Sequence, residues 1–441
     1  MHFLPAHLIL LILSIYTLPV ASEALFHRAH RHAIKRSAGF ARDLRVAFKG
    51  LGLPVGNLEG KRSTPVTDAA VGQIYCVSQP SKTPGVGSST GNGTTNGPAN
   101  GSHPSSKGSP TRTATSAGAT STLQTNFKMI ESHQGNNFFN GWNFFTGSDP
   151  TNGIVQYVDG GTAINSNLIS TTSSGTAIMR VDNTSVIGAT ANRQSVRITT
   201  ASTFTMGLVI LDAAHMPQGC GTWPAFWTNG PKWPQGGEID IVEGVNDYTV
   251  NQATIHTNPG CSIPTLTTTN ALNSNNPLAI TGTLVATTNC AAAETNNAGC
   301  GIRSNDDTSY GSGFNGIGGG VYAMLWDTTG ISVFFFARSN IPVDISGNAP
   351  NPSSWGTPMA RYPATQCNPQ QFFYNHSVIF DTTLCGDWAS GVWSSTGVTG
   401  QEQSCAQRTG YSTCESFVRN QGSAFTDAYW EVNYVQIWQQ K

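Results

Sequence analysis

From Thr125 onward the apolar residues come in short runs, largely β-branched and aromatic, cut by Gly, Asn, Pro and Ser. Gly153–Val158, Thr176–Val181, Gly207–Leu211, Val321–Trp326, Ile331–Phe336, Ser377–Phe380 and Tyr434–Lys441 are examples. Runs of this kind, bounded by turn residues, predict strands. No long segment repeats its apolar residues at the helical period. Many closely spaced strands with almost no helix predict an all-β sandwich, and residues 123–441 are enough to bury a large core as one domain.

Upstream the pattern changes. Leu8–Val20 is an apolar run too short to span a bilayer, followed by the small residues Ala21, Ser22 and Ala24. It predicts a signal peptide over residues 1–22. Lys35-Arg36 and Lys61-Arg62 are candidate dibasic processing sites, and Phe40, Leu44, Phe48 and Leu51 recur at helical spacing. Residues 23–78 are therefore expected to form a pro-segment with a short helix. Residues 79–122 are mostly Ser, Thr, Gly, Pro and Asn, and cannot bury enough surface to offset their ordering entropy. They read as a disordered linker. Sequons stand at Asn92, Asn100, Asn183 and Asn375.

Charge narrows the partners. The net charge is −1 and 11% of residues are charged, which removes nucleic acid and anionic membrane surfaces, since both need basic patches. Eight cysteines, Cys220, Cys261, Cys290, Cys300, Cys367, Cys385, Cys405 and Cys414, fall in the folded region, and Cys76 stands apart. An even set suits disulfides in an oxidising compartment. Cys290 with Cys300, and Cys405 with Cys414, are near enough in sequence to close small loops. The strand-like end Tyr434–Lys441 is no anchor-signal tail, so a secreted, soluble monomer without a membrane anchor is expected. No Cys/His zinc spacing occurs, and neither a metal nor a cofactor is expected. Gly311–Gly316 satisfies GxGxxG, but a strand follows it, so it reads as a loop and not a dinucleotide site.

The chemistry concentrates in Glu238-Ile239-Asp240-Ile241-Val242-Glu243, three carboxylates in a chain with 24 acidic residues. The apolar spacers predict a strand, on which Glu238 and Asp240 share a face while Glu243 points away. One extra residue in a β-bulge at Ile241-Val242 returns Glu243 to that face. Inward-leaning glutamates could then stand about 5 Å apart, the separation at which retaining glycosidases hold a nucleophile and a general acid. Asp240 between them would hold a shared proton or tune both neighbours. Trp223, Trp227, Trp233 and Trp388 are candidate platforms for sugar rings, although a tryptophan can equally fill a core. Gln252, Thr254 and His256 share a strand face beside the acids.

The acidic strand, framed by Gly236-Gly237 and Gly244, resembles the active-site strand of glycoside hydrolase family 16. Gly219 through Gly244 is similar to the fungal laminarinase branch, as are Phe138–Trp142, Asp149–Gly153, Gln252–Thr257 and Cys385–Trp388. The resemblance implies a curved, concanavalin-like jelly roll with an open substrate groove carrying Trp233 and Trp388, and His256 in the cleft. It also implies Glu238 as nucleophile, Glu243 as acid/base and β-1,3- or mixed β-1,3(4)-glucan as the partner; strand geometry alone leaves the order of roles open. A secreted endo-β-glucanase follows, extracellular or associated with the cell wall. Two rivals stand beside it: a cell-wall transglycosylase using the same intermediate, and a non-catalytic carbohydrate-binding sandwich.

Overall fold

The computed structural model describes residues 124–441 except 185, 266–277 and 286. The expected signal peptide, pro-segment and linker, with Cys76, Asn92 and Asn100, lie outside the described residues. Two eight-stranded antiparallel sheets account for most of the fold. One runs, in spatial order, Thr283–Leu284, Cys300–Arg303, Gln252–His256, Glu238–Glu243, Thr222–Asn229, Ser377–Leu384, Ile198–Thr200 and Trp142–Phe144. The acidic strand is thus central, with paired neighbours on both sides. The other sheet is built around Tyr429–Gln440, Gly207–His215 and Gly320–Asp327, with Gly330–Ala337 and Ala360–Pro363 beyond. A short parallel pair, Val155–Tyr157 with Arg193–Ser195, lies apart from both.

Alternation sorts the side chains. On the strand Thr222–Asn229, Phe226 and Thr228 turn inward and are buried, while Trp223, Ala225, Trp227 and Asn229 turn outward to a groove. Ile239, Ile241, Val242 and Phe226 from this sheet meet Val209, Leu211, Met324 and Trp326 from the other in a single core. This is the sandwich of a jelly roll, and the runs expected to be strands are strands. No helix among the described residues is long and apolar enough to cross a membrane.

Two expectations are corrected. Gly311–Gly316 is not a loop but a short α-helix. Burial of Phe314 against Tyr322 and Phe335 holds it to the sheet, and Gly313 lies so close to the Asp307 carbonyl that no Cβ would fit. Cys405 and Cys414 do not pair with each other. Cys405 bonds Cys220 and Cys414 bonds Cys385, alongside Cys261–Cys367 and the expected Cys290–Cys300.

Candidate active site

The strand Glu238–Glu243 contains the bulge its sequence calls for. Opposite Thr222–Asn229 the register slips between Asp240 and Val242, leaving Ile241 as the extra residue. Ile241 and Val242 both go into the core, which returns Glu243 to the face that carries Glu238 and Asp240. Asn251 pins this geometry from beneath. Its buried amide donates from Nδ2 to the Ile241 carbonyl and accepts the Glu243 N–H at Oδ1, both at 2.9 Å.

The three carboxylates form the floor of a groove of about 1060 Å³. Register places Glu238 opposite His256 and Asp240 opposite Thr254 on the next strand. His256 Nε2 lies 3.8 Å from Glu238 Oε1 and 3.4 Å from Asp240 Oδ2. Asp240 Oδ2 is buried and makes no hydrogen bond among the described residues. Trp223 donates from Nε1 to Glu243 Oε1 at 2.9 Å, fixing that carboxyl's direction.

Burial, then the nearby Asp240 charge, pushes Glu238 and Glu243 each up to about 8, with His256 pulling both down. Burial, then Asp381, also holds Asp240 well above the usual carboxylate range. Desolvated acids this close cannot all ionise, so the trio keeps protons at neutral pH. Such a set can present a carboxylic acid and a carboxylate to one bond.

Each aromatic singled out in the sequence lines this groove. Trp223 and Trp227 both face it, Phe226 taking the core position between them. Trp388, on the helix Gly386–Gly391, stands edge-on to Trp223 with ring centroids 5.7 Å apart. Trp233 lies at the rim and is 45% exposed. Gln252, Thr254 and His256 form the expected row along one wall. Asn152 donates to the Asp387 carboxylate at 2.9 Å, joining two of the family-like segments across the rim.

Three residues escaped the sequence reading. Asp381 faces the groove from Ser377–Leu384, and burial pushes it up to about 7. Arg197 reaches it at 3.9 Å while lying over the Trp227 and Phe145 rings. Alternation on Ser377–Leu384 could have placed Asp381 on the groove face, but no local signal marks Arg197 or Asn251. Glu238, Asp240 and His256 present ligand atoms within 4.8 Å of one another, one of two such groups among the described residues. The other such group, Cys220, Asp247 and Cys405, has both sulfurs committed to a disulfide.

A family model described as XgeA-like, catalytic GH16 domain, matches residues 142–438. A probable glycosidase of Schizosaccharomyces pombe is 41% identical over 316 residues, covering 71% of this chain and 69% of that protein. A probable endo-1,3(4)-β-glucanase of Aspergillus fumigatus is 41% identical over 315 residues, but the chain spans only 45% of its length. Among solved structures, a family 16 laminarinase from Phanerochaete chrysosporium, holding 6-O-glucosyl-laminaritriose in donor and acceptor sites, superposes with a TM-score of 0.62. It is 36% identical, over 71% of this chain and 99% of that one. An elongating family 16 β-1,3-glucosyltransferase matches with the same TM-score at 38% identity, over 71% of this chain and all of that one. The chain belongs to glycoside hydrolase family 16, in the XgeA-like group of its catalytic domains.

Proposed function

We propose that this glycoside hydrolase is a retaining endo-β-glucanase that cuts β-1,3- or mixed β-1,3(4)-glucan inside the chain. The observation that carries the reading is the bulged strand, which sets three buried carboxylates and His256 on the floor of an open, tryptophan-lined groove. An open groove suits a polymer passing through, and flat indole rings suit the apolar faces of sugars. The laminarinase that binds a branched β-glucan oligosaccharide and the glucanases named among the relatives support the same substrate class.

In this mechanism the Glu238 carboxylate attacks the anomeric carbon while Glu243 gives its proton to the departing glycosidic oxygen. The carbon–oxygen bond breaks and a glycosyl ester to Glu238 forms. Glu243, now a carboxylate, takes a proton from water, whose oxygen displaces Glu238 and restores both groups. Trp223 orients Glu243 throughout, and Asp240 with His256 sets how the trio shares its protons. We also assign residues 1–22 as a signal peptide, 23–78 as a pro-segment and 79–122 as a linker, with a secreted monomeric product. Four disulfides support that route.

Incubating the purified protein with laminarin, lichenan and a defined β-1,3-oligomer, beside Glu238→Gln, tests the proposal. Short oligosaccharides from the wild type and none from the variant are expected. Binding without cleavage by the wild type sinks it in favour of a carbohydrate-binding sandwich. Products longer than the oligomer supplied would shift the reading to transglycosylation, which the similarity to an elongating glucosyltransferase favours.

A further inference from the structure

His256 faces the catalytic acids with one edge, and among the described residues no hydrogen bond holds the other. Its Nδ1 is buried and finds no hydrogen-bond partner among the described residues. A histidine in a working site usually has its ring direction set by a bond from the second nitrogen to a carboxylate or carbonyl. Here packing has to do it, and the disulfide-bounded loop Cys290–Cys300 is what packs. The loop is anchored on both sides of His256: Cys300 pairs with Ile255 across the sheet, and the Cys290 carbonyl accepts the Thr257 N–H at 2.9 Å. Ala292 N–H bonds back to the Thr257 carbonyl at 2.9 Å. At the loop's far end Gly299, with φ +59°, comes so close that a Cβ there would sit 2.8 Å from His256 Nδ1 and 2.9 Å from its Cε1. Thr295, itself buried, sets that approach: its hydroxyl donates to the Ala291 carbonyl at 2.8 Å and accepts the Gly299 N–H at 3.2 Å.

We propose that the Cys290–Cys300 loop positions His256, with Thr295 and Gly299 holding the imidazole so that Nε2 stays directed at Glu238 and Asp240. The proposal rests on the glucanase reading for its kinetic consequences, and on geometry alone for its placement of the ring. Thr295 and Gly299 are positioning residues: they act on the site through the imidazole.

The pH profile should report the device. Glu238 is faced by Asp240 and Glu243 on its own strand and by His256 on the next, and Asp381 acts on Asp240 and Glu243 from the strand Ser377–Leu384. Of these His256 is the one that eases ionisation of both glutamates. Letting the ring turn away makes Glu238 harder to ionise, so the acid limb of kcat/KM moves to higher pH.

The test compares Thr295→Val, which keeps the side-chain shape without its hydrogen bonds, with Thr295→Ser, which restores them, each alone and combined with His256→Ala. Gly299→Ala serves as a second lesion, with thermal melting to confirm folding. Thr295→Val is expected to lower kcat about tenfold with KM nearly unchanged, as a small displacement of a catalytic-site group does. It should raise the acid limb, recover in Thr295→Ser, and add nothing further once His256 is alanine. An undiminished loss in the His256→Ala background, or a rise in KM alone, would overturn the proposal, because the loop would then be touching sugar directly. The His256 ring 15N resonances, followed by NMR without substrate, give a readout independent of activity. If Thr295→Val leaves them in place the positioning role fails, even in a protein that cleaves glucan. If they move and return in Thr295→Ser the role stands, even in a protein that cleaves none.

Discussion

In the proposed mechanism Glu243 serves as an acid because of where it sits. Burial first and Asp240 second push it up to about 8, so it is still protonated at neutral pH and can give its proton away. Asp240→Asn removes the neighbouring charge, and the alkaline limb of the pH profile should then fall to lower pH; an unmoved limb would show that Asp240 does not tune Glu243. Glu243→Gln should cut the rate on laminarin by roughly 10²–10⁴-fold, the usual weight of a general acid. The same burial costs stability. A carboxyl that titrates at about 8 when folded, against an ordinary 4.5, binds more protons folded than unfolded throughout that interval. Stability is therefore full below the lower value and declines as pH rises toward the higher one. Glu243→Gln, which can still accept the Trp223 N–H, is expected to raise Tm at pH 8 by about 2 °C or more and to change it little at pH 4. Equal melting curves at both pH values would contradict this. The trio was legible in the sequence because three acids with β-branched spacers fit few other structures. Arg197 was not, since its meeting with Asp381, Trp227 and Phe145 joins segments far apart in the chain.

The strand Glu238–Glu243 works only with its extra residue. Remove the bulge and Glu243 turns into the core while Val242 turns out to the groove. Asn251 is the structural partner of that irregularity, bonding on either side of it. Asn251→Ala leaves a buried carbonyl and a buried N–H unpaired, and should cost about 2–3 kcal/mol in denaturant unfolding. It should also lower kcat more than it raises KM, because Glu243 loses its register; full activity would mean the bulge holds itself. The bulge itself could be argued from sequence, since a period of two and a needed common face leave one residue over. Its clamp could not, because Asn251 sits in an unremarkable Val-Asn-Gln context. The strands were legible for a similar reason: each run carries its own turn residues. The helix Gly311–Gly316 was hidden because its glycines read as a loop, and only burial of Phe314 against distant strands decides otherwise.

Across the whole molecule the disulfides differ in what they tie. Cys220–Cys405 spans 185 residues and Cys290–Cys300 spans 10. Loop-closure entropy alone makes the longer one worth about 2–3 kcal/mol more. Replacing each pair by serines and comparing guanidinium unfolding should show that order; the reverse would mean local strain outweighs chain entropy. Cysteine count predicted oxidation but not partners, because sequence proximity says nothing of which strands lie side by side. The same gap between order along the chain and order in space governs the strand Tyr429–Gln440. It lies inside its sheet, bonded to Gly207–His215 along one edge and to Ala177–Arg180 and Phe127–Gln134 along the other. While the polypeptide is being synthesised, those earlier strands wait with open edges until Tyr429–Gln440 emerges and slots between them. The domain therefore closes late and all at once, and a nascent chain halted before Tyr429 should remain protease-sensitive and prone to stick to its neighbours.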